Sequence, residues 1–346
     1  MLSEIVIVTV ADSNFLPAAC CTMISTKDKL SVHSRMQRLI VAVDVSEPEA
    51  EAADRFLSDH GVKARIERIS SADFFSNSLR VDERISAAAY ARLFLDRLLD
   101  PGVEKVLYLD ADTRVMSSLD RLFAINLGEY PLAAVKDIYM YVQDRLATRN
   151  AILGSPSGTD YLNSGVMLLN WPEVLKRGLL QEAREFAVSY PEKCKSHDQD
   201  AINAAVSGDF KALDPRWNLI HYYFINGGTS EAWIKHYTGP KPWSRKRIAV
   251  WATDALWYRD LLAQSPWPDF FQEQHWMDRH EVSTSKILHW LRNYRRVAGN
   301  YLFPFFMSPE ARKRARQFLS FDPAEVVTVT HSWMENKPTN KESRSV

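Results

Sequence analysis

The residues Lys105-Val106-Leu107-Tyr108-Leu109-Asp110-Ala111-Asp112 read as a buried strand that ends in two carboxylates one residue apart. Side chains along a strand repeat with period two, so Asp110 and Asp112 point the same way at the open end of a sheet. Two anionic oxygens converging there suit a hard divalent cation. A cation so held can neutralise a departing diphosphate. A second such pair, Asp198 and Asp200, lies further along the chain. Either pair alone reads equally well as a solvated turn or a helix cap. Asp200 in particular suits a helix start, where the dipole favours an acid.

A later block, Lys235-His236-Tyr237-Thr238-Gly239-Pro240-Lys241-Pro242-Trp243, supplies what the first pair lacks. Asp110, Asp112 and His236 together offer two oxygens and an imidazole nitrogen. Mixed ligation with positions left for phosphate oxygens suits Mn²⁺, with Mg²⁺ second. Gly239 lets the backbone come close to a diphosphate. Lys241 adds a point charge on it. Cation and lysine together form the preorganised electrostatics that a nucleoside diphosphate leaving group needs.

These residues need a scaffold, and the first part of the chain alternates strand and helix signals. Strands are expected over Ile5–Val10, Arg38–Asp44, Val62–Ile69 and Val103–Leu109. Helices are expected over Leu16–Thr26, Glu47–His60 (closed by Gly61) and Arg84–Leu99, the last stopped by Asp100-Pro101-Gly102. Such alternation predicts an α/β fold with a mostly parallel central sheet and helices on both faces. Ligands of such sheets bind beyond the carboxyl ends of the strands, where Asp110 and Asp112 stand. Further on, Leu132–Val135, Tyr161–Asn170 and Phe210–Leu213 read as strands. Pro172–Tyr190 and Asp198–Val206 read as helices. Trp251, Trp257, Trp267 and Trp276 suggest an irregular covering layer. Trp217, Trp243, Trp251 and Trp257 are either core residues or platforms for an acceptor sugar.

With 43 basic and 43 acidic residues the net charge is zero, which gives no footprint for nucleic acid. Cys20, Cys21 and Cys194 form no disulfide framework, and a reducing compartment is the simpler expectation. No signal peptide is read at the N-terminus, and no apolar run reaches the roughly 18 residues of a membrane span. A cytoplasmic enzyme fits these features.

Four further segments accompany the two blocks in a fixed order: Ala11-Asp12-Ser13-Asn14, Tyr90-Ala91-Arg92-Leu93, Tyr161-Leu162-Asn163-Ser164-Gly165-Val166-Met167-Leu168-Leu169-Asn170 and His197-Asp198-Gln199-Asp200. In this combination, over roughly residues 4–260, the chain resembles the family 8 retaining glycosyltransferases. It resembles in particular the bacterial lipopolysaccharide α-galactosyl- and α-glucosyltransferases, and glycogenin more distantly. The resemblance implies a single GT-A domain (Rossmann-like, nucleotide-binding) over residues 1–260, with a mixed, mostly parallel central sheet. It implies hexose transfer from a UDP-sugar, galactose or glucose, to a hydroxyl of a glycan or glycolipid acceptor such as lipopolysaccharide.

By the same resemblance Ala11, Asp12 and Asn14 contact uracil and ribose, and Arg92 contacts the donor sugar or its phosphates. Arg92 read by itself is a buried arginine that needs a partner, which a nearby aspartate would also satisfy. Ala111 and Ser164 join the donor site. Asn163, Asp198 and Gln199 read the hexose hydroxyls, and Gly239 and Lys241 take the diphosphate. Many relatives carry one more residue between the glycine and the lysine, which would set Lys241 differently on the phosphates. Gln199, expected nearest the anomeric carbon, is a poor nucleophile. Two mechanisms stay open: front-face attack with the leaving phosphate taking the proton, and a covalent intermediate on Asp198. The alternatives in function are a sugar nucleotidyltransferase and a catalytically degenerate binding module.

Beyond residue 260 lies an aromatic, basic extension (261–334), then a tail (335–346) expected to be disordered. Within it, between Lys286 and Leu319, eight basic residues (Lys286, Arg292, Arg295, Arg296, Arg312, Lys313, Arg314 and Arg316) stand against Glu310 alone. Apolar residues over 287–305 recur with a helical period. Such a helix lies either on an anionic membrane surface, as in a peripheral protein of the cytoplasmic membrane, or on protein. On the membrane reading, truncation after residue 280 releases the chain from anionic liposomes. Equal co-sedimentation of the truncated and full-length chains would remove that reading.

Overall fold

The computed structural model describes residues 5–31, 36–74, 88–142, 145–221, 231–245 and 251–273. The basic segment 286–319, the helical period over 287–305 and the tail lie outside these residues. The expected extension 261–334 is described only to residue 273.

A seven-stranded sheet forms the centre. β1 (Ile5–Ala11), β2 (Met36–Val43), β3 (Arg65–Ile69) and β4 (Lys105–Leu109) run parallel in the order β3-β2-β1-β4. Six further strands form the outer flank of this sheet and a second, small sheet. β5 (Thr113–Val115) follows β4 directly, while β6 (Leu132–Lys136) and β7 (Leu162–Asn170) extend the large sheet. β7 is antiparallel to both of its neighbours, β4 and β6. β8 (Lys211–Ala212) closes the edge parallel to β6. β9 (Leu219–Ile220) and β10 (Ile234–His236) join β5 in a three-stranded sheet of order β5-β10-β9. The expected mixed, mostly parallel α/β architecture is therefore present, with β7 as its reversed strand.

The strands read as near-continuous apolar runs because the sheet is covered on both faces. Period-two alternation sorts them between two cores. Ile7 of β1, Leu107 and Leu109 of β4, and Val166 and Leu168 of β7 pack in one. Val6, Val8 and Val10 of β1, Val106 and Tyr108 of β4, and Met167 and Leu169 of β7 pack in the other. The first core also takes the helices Leu16–Ser25, Glu47–Asp59 and Ala252–Leu262 together with Ile234 and Tyr237 beside the small sheet. Trp217, Trp243 and Trp251 belong to it too. Trp257 lies against the same core with the Arg114 guanidinium over its ring. The four tryptophans thus lie in or against this core, and none lines the cleft at the carboxyl ends of β1 and β4.

Several element boundaries differ from expectation. The helix expected over Arg84–Leu99 is a single α-turn, Ala88–Ala91, that tightens into a 3₁₀ helix, Arg92–Arg97. Such tightening is usual at helix ends, and residues 84–87 lie outside the described range. The helix expected over Pro172–Tyr190 is two helices, Trp171–Arg177 and Leu179–Ser189, broken where Gly178 takes a left-handed φ of 63°. That conformation costs a glycine little and ends a helix. β3 starts only at Arg65, and β8 has two residues rather than four. Among the described residues no helix is long and apolar enough to cross a membrane.

The chain connects β1 to β2 on one side, while β4 pairs on its other side. The carboxyl ends of β1 and β4 therefore meet at a switch point, the general position for a ligand crevice. Because β7 is antiparallel, its first residues lie at that same edge.

Candidate active site

A cleft of about 400 Å³ opens at this edge, within the range of small-ligand sites. The end of β1 supplies Ala11 and Asp12, the end of β4 supplies Asp110 to Asp112, and the start of β7 supplies Asn163 and Ser164. Asp198 and Gln199 begin the helix Asp198–Val206, and His236 and Lys241 come from β10 and the loop after it. Asn14 stands exposed on the turn after β1 and is not among the lining residues. Gly239, with φ 76°, makes the turn between Thr238 and Lys241, both of which line the cleft. The turn after β1 is closed by Asp12, whose Oδ1 accepts from the Phe15 N–H at 3.0 Å. It contains no glycine, so the nucleotidyltransferase alternative lacks its phosphate loop.

The Asp110, Asp112 and His236 donor atoms lie within 4.8 Å of one another. His236 Nε2 is 3.4 Å from Asp110 Oδ2 and 3.3 Å from Asp112 Oδ1. Its other nitrogen, Nδ1, meets Asn218 Oδ1 at 2.8 Å. Asn218 Nδ2 donates to Asn163 Oδ1 at 2.8 Å, which fixes the amide and leaves its oxygen for the imidazole. Nδ1 then carries the proton, and the Nε2 lone pair is aimed at the two carboxylates. Three acceptors converging in this way, two of them buried and Asp110 half-buried, suit a cation, and the outer hydrogen bond is the usual means of fixing a metal-binding histidine. The donor set therefore fits the expected divalent ion.

Charge is partly balanced by two side chains. Lys241 Nζ donates to Asp112 Oδ2 and to the Tyr237 carbonyl. Burial alone would raise the Asp112 carboxyl, but the Lys241 ammonium draws it below the usual carboxylate range. Arg92 bridges the two acidic clusters. Its Nη2 is 2.7 Å from Asp110 Oδ1 and its Nε is 3.0 Å from Asp198 Oδ2. Its Nη1 donates to the Ser164 carbonyl at 3.1 Å, and its guanidinium lies 4.4 Å over the Tyr108 ring. Burial opposes the Arg92 charge, and Asp110 and Asp198 hold it. So Arg92 makes the aspartate ion pairs and lines the cleft as well.

Asp198 is pushed up to about 6 by burial, against Arg92, with the Asp110 charge adding to the rise. Gln199 is tightly held: Nε2 donates to Asp137 Oδ2 at 3.0 Å, and Oε1 accepts from the Ser164 N–H at 3.2 Å. Asn163 Nδ2 also reaches Asp137 Oδ2, at 3.3 Å. His197, just before this helix, has φ 52°, a conformation that costs a non-glycine residue about 1–3 kcal/mol and is common beside functional sites. Asp200, the partner of Asp198 in the second pair, is outside the cleft. Its carboxylate takes the Tyr161 hydroxyl, the Ser196 N–H and Arg149.

Four participants escape the sequence reading. Asp137 and Asn218 are isolated polar residues with no motif around them. Phe15 is 37% exposed and lines the cleft. Gly165 did carry a signal, since a glycine inside a strand marks close backbone approach. A Cβ there would lie 2.2 Å from His236 Cε1 and 2.8 Å from Asp110 Oδ2. The Gly165 carbonyl meanwhile accepts from the Asp110 N–H at 2.8 Å.

Glycosyl transferase family 8 matches residues 6–247. A putative glycosyltransferase of Haemophilus influenzae is 31% identical over 180 residues, covering 50% of this chain and 53% of that one. The lipopolysaccharide 1,2-glucosyltransferase of Escherichia coli K12 is 29% identical over 199 residues, covering 53% and 56%. The chain spans little more than half the length of these curated relatives. The galactosyltransferase LgtC, solved with donor and acceptor sugar analogs, superposes with a TM-score of 0.65 at 25% identity, covering 75% of this chain and 96% of that one.

The packing at Gly165 makes a prediction. Gly165→Ala forces His236 or Asp110 to move, and Mn²⁺ affinity, read by calorimetry, should fall about tenfold or more, the scale of misplacing a metal ligand. A folded Gly165→Ala chain that binds Mn²⁺ as tightly as the wild type would contradict this packing.

Proposed function

Because this chain belongs to glycosyl transferase family 8, we propose that its cleft transfers a hexose from a UDP-sugar to a hydroxyl of a glycan acceptor, retaining the α configuration. The observation that carries the reading is the convergence of Asp110, Asp112 and His236 beside Lys241 at the switch point of the sheet. UDP-glucose and UDP-galactose are the leading donors, in keeping with the names of the glucosyltransferase and galactosyltransferase it resembles. A lipopolysaccharide or another cell-surface glycan is the acceptor class proposed.

A divalent cation, Mn²⁺ ahead of Mg²⁺, held by Asp110, Asp112 and His236 would offset the charge of the diphosphate as it leaves. The remaining roles fall to side chains of the cleft. The Phe15 ring stacks on the uracil, and Ala11 and Asp12 border the base and ribose, while the exposed Asn14 stands outside the cleft. Lys241 adds positive charge at the diphosphate, on the turn that Gly239 permits. Arg92, Asn163, Ser164 and Asp198 meet the hexose hydroxyls. An epimer that leaves one of these buried groups unpaired is rejected.

In the transfer step the bond from the anomeric carbon to the β-phosphate oxygen breaks. A bond from that carbon to the acceptor oxygen forms on the same face. The acceptor proton passes to the released phosphate oxygen. Gln199 is neutral and held from both ends, so it supports the anomeric centre as a fixed dipole rather than attacking it. Asp198 is paired with Arg92, which weakens it as a nucleophile. Front-face transfer is therefore favoured over an Asp198-linked intermediate.

The test is donor hydrolysis with UDP-galactose, UDP-glucose, UDP-N-acetylglucosamine and GDP-mannose, each with Mn²⁺ and with EDTA. One UDP-hexose should be turned over, and EDTA should stop it. His236→Ala should lose about a hundredfold or more in rate, the scale of removing one preorganised group that stabilises charge. Hydrolysis unaffected by EDTA, or no turnover of any UDP-sugar by folded protein, would overturn the reading.

A further inference from the structure

Behind the small sheet, facing away from the cleft, one buried carboxylate gathers three donors. Asp254, 1% exposed in the first turn of the helix Ala252–Leu262, accepts from Arg114 Nη1 at 3.0 Å. It accepts from Lys235 Nζ at 3.1 Å and 2.9 Å, one contact to each oxygen. It also accepts from the Tyr237 hydroxyl at 2.9 Å. Asp254 lies beyond residue 247, where the family match ends.

The donors are not scattered. Lys235 and Tyr237 flank His236, and Arg114 stands two residues after Asp112. Successive side chains of a strand face opposite sides. When His236 faces Asp110 and Asp112, its two neighbours therefore face the helix. On β5, Arg114 pairs in register with Lys235, and Thr113 pairs with His236. One carboxylate thus holds both strands of the ribbon from behind.

The ribbon needs such a tie. β10 and β5 have three residues each and β9 has two, so the backbone ladder is short. Arg114 and Lys235 are neighbouring cations that repel unless an anion lies between them. Arg114 lies 4.1 Å over the Trp257 ring, on the same helix as Asp254, which adds a second contact between that helix and β5.

We propose that Asp254 is a positioning residue for the metal ligands, setting through Lys235, Tyr237 and Arg114 the register in which His236 meets Asp110 and Asp112. The proposal rests on the reading of those three residues as a metal site. Asp254 touches neither ligand nor substrate and acts only through the ribbon.

The experiment measures Mn²⁺ affinity of the full chain by calorimetry, with UDP present, alongside melting temperature. Asp254→Asn should weaken Mn²⁺ severalfold, up to the roughly tenfold that loss of a group bonded directly to a ligand costs. Tyr237→Phe, which keeps both charges paired, should weaken it less and in the same direction. In a His236→Ala background neither change should weaken Mn²⁺ further, since the tie acts through that ligand. Melting temperature alone would fall if the role were only structural. Unchanged Mn²⁺ affinity in the folded variants, or an equal loss without His236, overturns the tie while the metal reading stands. Should Asp254→Asn not fold, Tyr237→Phe decides on the same readout. A wild-type chain that binds no Mn²⁺ overturns the metal reading and the tie with it.

Discussion

Among the described residues, four carboxylates, Asp12, Asp110, Asp112 and Asp198, share one cleft with two permanent cations, Arg92 and Lys241. Asp112 and Asp198 are among the buried residues of the fold, as is Arg92. Burying unmatched charge is expensive, and a like charge brought nearby makes it worse. A nucleoside diphosphate is itself anionic. It cannot settle in a site with net negative charge unless a further cation comes with it. Most of the local structure follows from that imbalance: Arg92 spans two acids, Lys241 caps a third, and the His236 lone pair turns toward the gap that is left.

The scaffold makes this gathering of charge affordable by spreading its supports over separate elements. β4 and its extension deliver two acids with a fixed separation. β7 brings a glycine where any side chain would collide, and β10 brings the imidazole across from the small sheet. A line of amides then runs from His236 through Asn218 and Asn163 to Asp137 and Gln199. The orientation of the metal-facing histidine and that of the glutamine at the sugar side are thereby linked by hydrogen bonds within one network. Such networks hold geometry best when each member is satisfied.

How much of this was legible in the sequence depended on what kind of signal each residue left. Apolar runs bounded by turn residues located β1, β2 and β4, because strands covered on both faces must be apolar throughout. The Asp110/Asp112 pair and the His236–Lys241 block were visible because their spacing is short and chemical. Asn218 and Asp137 left no trace, since their roles depend on contacts between strands distant in sequence. The four tryptophans were ambiguous for a related reason: their types fit both a sugar platform and a core, and only packing places Trp251 against Tyr237 at 4.9 Å. The division of the helix at Gly178 was written in the glycine and in Lys176 and Arg177 before it, but Leu179 and Leu180 after it read as a continuation of the helix. The order of the sheet, with β7 reversed, was also beyond the sequence, because pairing partners are set by the connections and not by the strands alone.

The central claim is that a divalent cation completes the charge balance at Asp110, Asp112 and His236. The most direct measurement is anomalous diffraction at the manganese edge from crystals grown with Mn²⁺ and UDP. The account predicts one strong peak within coordination distance of all three side chains, with Lys241 turned from Asp112 toward the diphosphate. A peak elsewhere, or UDP bound with no metal at these residues, would contradict it.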